Sequence, residues 1–193
     1  MKYYVVRYSG TFGYIKPWSA VRDGETYSQQ FLTPSIVEGM EKKLFPELLS
    51  TKGIHKILRH KLSSQGISVQ QEKTQAQAWT SRGKAKQRSW YREQSILKRG
   101  VLLNPSLYLA FGNEKDASSA SEQHICLCRN EDLLFPDRDI LIMEESEFDT
   151  LKGFELRFDS NCQDAFMVGF NRFDENKPMY GSLEISGEAV LRK

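Results

Sequence analysis

Residues 72–95, EKTQAQAWTSRGKAKQRSWYREQS, contain no aliphatic side chain larger than alanine. Such a run cannot bury enough apolar surface to offset the entropy of ordering it inside a core. The chain must therefore close its core with residues 1–71 and 96–112 and let 72–95 project as an arm or long hairpin. The arm carries Lys73, Arg82, Lys84, Lys86, Arg88 and Arg92, interleaved with Trp79, Trp90 and Tyr91. Cations in a row neutralise phosphates and release counterions, and aromatic faces stack unpaired bases. This mixture points to single-stranded nucleic acid.

A second constraint lies at residues 22–45, RDGETYSQQFLTPSIVEGMEKKLF. Thr33 is placed to cap a helix with its side-chain oxygen, and Pro34 suits the first helical position, where no N–H is needed. Ile36, Val37, Met40 and Leu44 then fall on one stripe, and the helix ends near Phe45 and Pro46. The bare N–H groups of its first turn, with Thr33 and Ser35, are an expected anion site. The preceding loop, SGTFGYIKPW, mixes glycine, proline and aromatic residues, and Lys16, Trp18 and Arg22 pair cation with aromatic as phosphates and unstacked bases require.

Charge is unevenly distributed. The whole chain of 193 residues has a formal net charge of +2. Residues 1–112 carry eighteen basic and seven acidic side chains, whereas residues 113–164 carry five and fourteen. The split predicts a polyanion on one side and a protein contact on the acidic side. Without 18 consecutive apolar residues there is no membrane span, and the first ten residues, MKYYVVRYSG, read as a strand and not as a signal peptide. With three cysteines, Cys126, Cys128 and Cys162, a reducing, cytoplasmic setting is expected. His124, Cys126 and Cys128 alternate on an expected strand, but the spacing is not that of a zinc knuckle. They read as buried thiols, so neither a metal nor another cofactor is expected.

Residues 2–8 read as a strand. So do 54–62, whose mixed faces would also suit a short helix, and 67–71, followed by 96–103, 106–111, 124–128, 139–143, 154–158, 165–173 and 182–191. Residues 113–123 read as a polar Ser/Ala-rich loop, and EESEFDTLKGF as a short helix or an acidic loop. His55 and His60 have no acid or nucleophile at a useful spacing and read as exposed or structural. A strand, a helix and then many strands make an α+β domain close to the ferredoxin-like layout of RNA-binding modules, with a protruding basic thumb at 72–95. Residues 113–193 supply an acidic loop region and additional C-terminal β-strands that complete the sheet.

The ordered set of features resembles a known family. Strand Tyr3–Tyr8 leads to Gly10-Thr11-Phe12-Gly13-Tyr14-Ile15-Lys16-Pro17, then Tyr27, then Thr33-Pro34-Ser35-Ile36-Val37-Glu38-Gly39-Met40. Arg92-Glu93-Gln94-Ser95-Ile96-Leu97 through Leu107-Tyr108-Leu109 follows, and Met167 to Asp174 resembles a late hairpin of the type I-C branch. This pattern is similar to the Cas-five family of CRISPR-associated RAMP proteins. The resemblance covers most of residues 1–112 and, more weakly, 165–191. It implies an RRM/RAMP core and a subunit that grips the 5′ handle of the guide RNA (crRNA) and caps one end of a Cascade-like surveillance complex. Its expected partners are crRNA, a backbone subunit and a large subunit, with contact to target DNA near the PAM left open. Candidate RNA-binding residues are Lys16, Trp18, Arg22, Tyr27, Thr33, Ser35, Arg82, Lys84, Lys86, Arg88, Trp90 and Arg92. The type I-C branch cleaves precursor RNA with a tyrosine at the end of the first helix and a later Lys-His pair. Here Phe45 stands at the tyrosine's place, and Lys115 has no histidine beside it. A phenylalanine supplies neither a base nor a charge for the phosphorane, so no catalytic residue is expected. Two other classes stay open: a metal-free endoribonuclease using His55, His60 or His124 with Tyr27 or a thumb lysine, and a protein-interaction module with a basic docking arm.

Overall fold

Alternation organises the first strand, because successive side chains of a strand face opposite sides of the sheet. In β1 (Lys2–Ser9), Tyr3 and Val5 face one way while Val6 and Tyr8 face the other, and all four are buried. Both faces of the sheet are therefore covered. The computed structural model describes residues 1–17, 24–75, 78–158, 162–171 and 175–188. After β1 come β2 (Phe12–Gly13), β3 (Glu25–Tyr27), α1 (Pro34–Leu44) and β4 (Ile57–Ser63). The arm region contains β5 (Gly66–Gln75), β6 (Thr80–Arg82), β7 (Ser89–Tyr91) and β8 (Gln94–Leu103). β9 (Ser106–Phe111), α2 (Glu114–Ser121), β10 (Ile125–Cys126), β11 (Leu133–Pro136) and β12 (Leu141–Glu144) follow. The chain continues with α3 (Glu145–Thr150), β13 (Gly153–Arg157), β14 (Phe166–Asn171) and β15 (Lys177–Ser186).

The result is a β-rich α/β fold compatible with the α+β class. Its main sheet has the order β10-β11-β1-β9-β4-β13-β15-β14, with β12 beside β11 on the same edge of β1. Every pairing in it is antiparallel. A helix follows each of the two central strands: α1 lies between β1 and β4, and α2 between β9 and β11. Val37, Met40 and Leu44 of α1 and Ala117 and Ala120 of α2 join Val6, Tyr8, Leu62, Leu107, Leu109 and Phe111 in the larger core. The Tyr8 hydroxyl donates to the Ala120 carbonyl of α2 across 2.7 Å. On the opposite face Phe148 of α3 packs with Tyr3, Val5 and Ala110.

Several expectations change. Residues 113–123 hold a helix, not a loop. Asn113 caps it by accepting from the Asp116 N–H at 2.9 Å, and its buried stripe is just two alanines, too small to register as a hydrophobic period. The expected strand at 124–128 is only Ile125–Cys126. Leu127 takes the buried place beyond it while Cys128 is exposed, so the thiols are not buried strand residues. β11 lies in a stretch with no expected strand. β15 begins at Lys177, so Pro178 is strand and not turn; it has only β14 beside it, since β13 pairs from Ser182 onward.

The mixed pattern of 54–62 also finds its reason. Arg59, His60 and Lys61 of β4 are all buried. Arg59 is only 4% exposed and forks onto Glu155 of β13, with Nε to Oε1 at 2.7 Å and Nη2 to Oε2 at 2.6 Å. Lys61 Nζ donates to the carbonyls of Asp149 and Leu151 and to the Ser186 hydroxyl, so it closes the C-terminal end of α3. Arg59 and Lys61 can occupy a core strand because their charges are met in this way, while His60 Nε2 and Arg59 Nη1 are buried without a hydrogen-bond partner. Glu41 of α1 does the same on the other face: its carboxylate, fully buried, accepts the N–H groups of His55, Lys56 and Ile57.

Candidate nucleic-acid interface

β5 and β8 form one uninterrupted antiparallel ladder, from Gly66 opposite Leu103 to Gln75 opposite Gln94. The paired stem thus begins well inside the segments read as core, at 66 and 103. The composition of 72–95 marks where aliphatic side chains stop, not where the hairpin starts, and the exposed Ile67, Val69 and Ile96 lie on the stem outside it. Beyond the stem, β6 pairs with β7, Ser81 opposite Trp90 and Arg82 opposite Ser89. Gly83 sits at φ +106°, and a Cβ there would lie 2.5 Å from the Gln87 carbonyl oxygen, so the turn at the tip requires glycine.

The tip is built for solvent. Arg82, Lys84, Lys86, Arg88 and Arg92 are exposed, and Trp79 and Trp90 are each 59% exposed. The Arg92 guanidinium lies 4.9 Å from the Trp79 ring, a stacked pair that presents a charge and a flat face together. Ladder alternation puts Trp90 and Ser81 on one face of the ribbon, Arg82 and Tyr91 on the other. Among the described residues, none of the arm cations Lys73, Arg82, Lys84, Lys86, Arg88 and Arg92 forms an ion pair.

The core's basic residues behave differently. Arg7 pairs with Asp137, Lys56 with Asp116 and Glu47, Arg59 with Glu155 and Asp149, and the N-terminal ammonium with Glu144. Three of the ten basic side chains of residues 1–63, Arg7, Lys56 and Arg59, thus pair with the acidic segment 113–164, so the charge asymmetry of the sequence is partly consumed inside the fold.

At the base of the arm, β8 is flanked on one edge by β5 and on the other by β2 and β3. Tyr27 of β3 lies opposite Gly100 in a parallel register, half exposed, with its hydroxyl donating to Glu25 at 2.7 Å. Its ring lies over Gly100, where a Cβ would also come within 3.0 Å of Ile67. One face of the stem thus carries Tyr27, Ile67, Val69 and Ile96, all exposed, beside Lys73 and Lys98. The other face holds a cleft of about 260 Å³ lined by Phe12, Gln70, Glu72, Arg99 and Arg129 among others. Arg99 and Arg129 both lie over the buried Tyr14 ring, at 5.4 and 5.3 Å, and each is tied to an acid: Arg99 to Glu72, Arg129 to Asp132. Lys98 and Arg99 continue the arm's basic pattern into the apolar run ILKRGVLL, and each is paired with an acid, Lys98 with Glu25 and Arg99 with Glu72.

Tyr27 is therefore brought to the base of the arm beside β8, whereas Arg82, Lys84, Lys86, Arg88, Trp90 and Arg92 lie beyond the β5–β8 stem, on the separate β6–β7 ribbon and its flanks. Lys16 is exposed in the loop that follows β2, and Trp18 and Arg22 lie outside the described residues. The first turn of α1 departs from expectation. Thr33 stands at the cap position, but its hydroxyl contacts the Ser35 hydroxyl at 3.1 Å and accepts no backbone N–H. The Ile36 and Val37 amides turn back to the Thr33 carbonyl at 3.0 and 3.1 Å, and Thr33 itself is buried. The turn's amides are largely spent internally, which leaves Ser35 as its exposed polar residue.

Phe45, at the end of α1, is buried, with its ring edge-on to Phe111 at 6.0 Å and Lys56 Nζ 3.9 Å above it. Together with Lys56, Asn113, Lys115, Asp116 and Ser119 it lines a cleft of about 590 Å³. His60 is buried against Phe158, and burial pushes its imidazole down to about 4; His55 and His124 are exposed.

No protein-family model and no curated protein matches the chain. Among solved structures, one described as "CRISPR RNA-guided surveillance complex" is similar to this chain at 13% sequence identity, covering 95% of this chain and 88% of that one, with a TM-score of 0.49.

Proposed function

We propose that this chain is a non-catalytic, RNA-holding subunit of a CRISPR effector complex, one that grips the 5′ handle of crRNA and caps the assembly beside a backbone and a large subunit. The observation that carries the reading is the arm: six exposed or solvent-facing cations without acid partners among the described residues, set among two exposed tryptophans on one hairpin. Unpaired cations neutralise phosphates, and exposed indole faces stack bases that a duplex would hide. The order β11-β1-β9-β4, with helices after β1 and β9, supports the ferredoxin-like reading of the core. The motif order of residues 1–112 described above supplies the handle as the RNA in question.

Absence of cleavage is part of the proposal. The residue at the end of α1 is a buried phenylalanine. The cleft beside it is lined by lysines, acids and amides, without a histidine or tyrosine. Buried His60 is sealed from any bound strand. The test is binding of the intact chain to fluorescein-labelled single-stranded repeat RNA, with the matching duplex and an unrelated single strand as competitors, and a parallel incubation in EDTA. Preference for the single-stranded handle with intact RNA supports the reading. Equal binding of the duplex overturns the RNA-holding role, and site-specific cleavage in EDTA overturns the non-catalytic one.

A further inference from the structure

The cleft on the second face of the stem is built by strand alternation. Phe12 of β2, Arg99 and Val101 of β8, and Gln70 and Glu72 of β5 all project to that face, since Phe12 lies opposite Leu103 and Gln70 opposite Arg99. Val101 is almost fully buried and supplies the floor, and the half-buried Phe12 adds an aromatic surface. Arg129 and Glu131, from the chain between β10 and β11, complete the lining. A volume of about 260 Å³ is smaller than a drug-sized site and suits one planar ring.

Both guanidiniums are held in place by the fold itself. Arg99 donates from Nε to Glu72 at 3.0 Å and from Nη1 to the Thr26 hydroxyl at 2.8 Å. The same Thr26 oxygen accepts from the Tyr14 hydroxyl at 3.1 Å. Arg129 forks onto the buried Asp132, Nε to Oδ2 at 2.8 Å and Nη2 to Oδ1 at 2.7 Å. One terminal nitrogen of each, Nη2 of Arg99 and Nη1 of Arg129, forms no hydrogen bond among the described residues. Glu131 Oε1 stands 3.4 Å from Arg129 Nε, and this side chain is 60% exposed.

Charge balance selects what can enter. Glu72, Glu131 and Asp132 set three carboxylates against two guanidiniums, so a phosphate gains no net attraction here. A neutral planar group is admitted, provided that it brings acceptors for the free N–H groups and donors for Glu131. Guanine has adjacent acceptors at O6 and N7 and adjacent donors at N1 and N2, and no other RNA base offers two adjacent donors to one carboxylate.

We propose that this cleft takes one guanine of the RNA strand held by the arm, with Arg99 and Arg129 donating to O6 and N7 and Glu131 accepting from N1 and N2. The inference rests on the arm's role as RNA holder and adds base selection to it: the arm cations meet phosphates of any sequence, and the cleft sets the register.

The experiment titrates the intact chain with fluorescein-labelled uridine nonamers that carry one central guanosine, inosine, adenosine or cytidine, beside the all-uridine strand, read by anisotropy. A uniform background lets the strand slide until the odd base meets the cleft. The guanosine strand is expected to bind at least tenfold tighter than the adenosine, cytidine and all-uridine strands, with inosine, which lacks the N2 amino group, in between. The surface variant Glu131→Ala brings that preference below about threefold and leaves all-uridine binding at the parent level. Binding of every strand by the parent within about threefold overturns the guanine site and leaves the RNA-holding role standing. A preference for another base, or a guanosine preference that Glu131→Ala does not reduce, overturns it as well. So does free guanosine that competes as strongly as the guanosine nonamer, since the occupant is then a nucleoside. Failure of every nonamer to bind overturns the arm's role and this proposal with it.

Discussion

Consider removing two charges from the arm's tip, Lys86→Ala/Arg88→Ala. Both side chains are exposed and neither forms an ion pair among the described residues, so their removal breaks no ion pair of the fold. They are better targets than Arg92, which also stacks on Trp79. For a single strand the logarithm of affinity falls with the logarithm of salt at about 0.7 per neutralised phosphate. If each of the six arm cations contacts one phosphate, the parent slope is about −4, and raising salt from about 50 to 200 mM weakens binding about 300-fold. The double variant then has a slope near −2.8 and loses only about 50-fold over the same range. Anisotropy titrations against labelled single-stranded RNA at four salt concentrations, with thermal melts as a folding control, measure both slopes. A variant whose slope equals the parent's refutes the argument, because the charges then meet no phosphate.

Trp90→Ala, which removes a stacking face and no charge, weakens RNA binding by about 1–3 kcal/mol and leaves the salt slope unchanged in the same titrations. Gly100→Val drives a side chain into the Tyr27 ring and Ile67; handle binding falls, and tyrosine fluorescence reports the displaced ring. Glu155→Ala leaves the buried Arg59 guanidinium with one hydrogen-bonded acid, the exposed Asp149, and with Glu145 and Glu184 at 3.8 Å, and urea unfolding shows a loss of about 3 kcal/mol. The double variant Arg59→Met/Glu155→Leu recovers most of it. His60 binds its proton more readily unfolded than folded, since burial holds its imidazole down at about 4. Its contribution to stability is complete above about pH 6.5 and declines as pH falls toward 4. His60→Leu therefore has a smaller drop in urea midpoint between pH 7 and pH 5 than the parent, and an equal drop contradicts the assignment.

What could be read in advance follows from the size of the local signal. The β1 and β9 strands announce themselves by their β-prone, largely apolar runs, and α1 by its proline start and its apolar stripe. The arm is legible because a run without aliphatic residues has no other use for two tryptophans. α2 was not legible, since Ala117 and Ala120 leave no hydrophobic period. β4 was ambiguous because Arg59 and Lys61 meet their partners 88 to 125 residues later, in α3, β13 and β15. The same long reach hid the fate of the acidic segment, whose carboxylates turn inward to the core's basic residues rather than outward alone. Thr33 was misjudged at the level of one rotor: composition identifies the cap position, while the competition between its hydroxyl and its own carbonyl for the first amides is settled by local geometry.

The unbroken run of β8 has a mechanical meaning. A single strand leaves the body at Leu103, passes Gly100 beneath Tyr27 and reaches Gln94 without losing register with β5. The stem is thus a lever cut from the same beam as its mounting, with no break in its ladder between Leu103 and Gln94. Tension on the tip is delivered to the contact between Tyr27 and Gly100, so that contact sets the direction in which anything gripped at the far end is held.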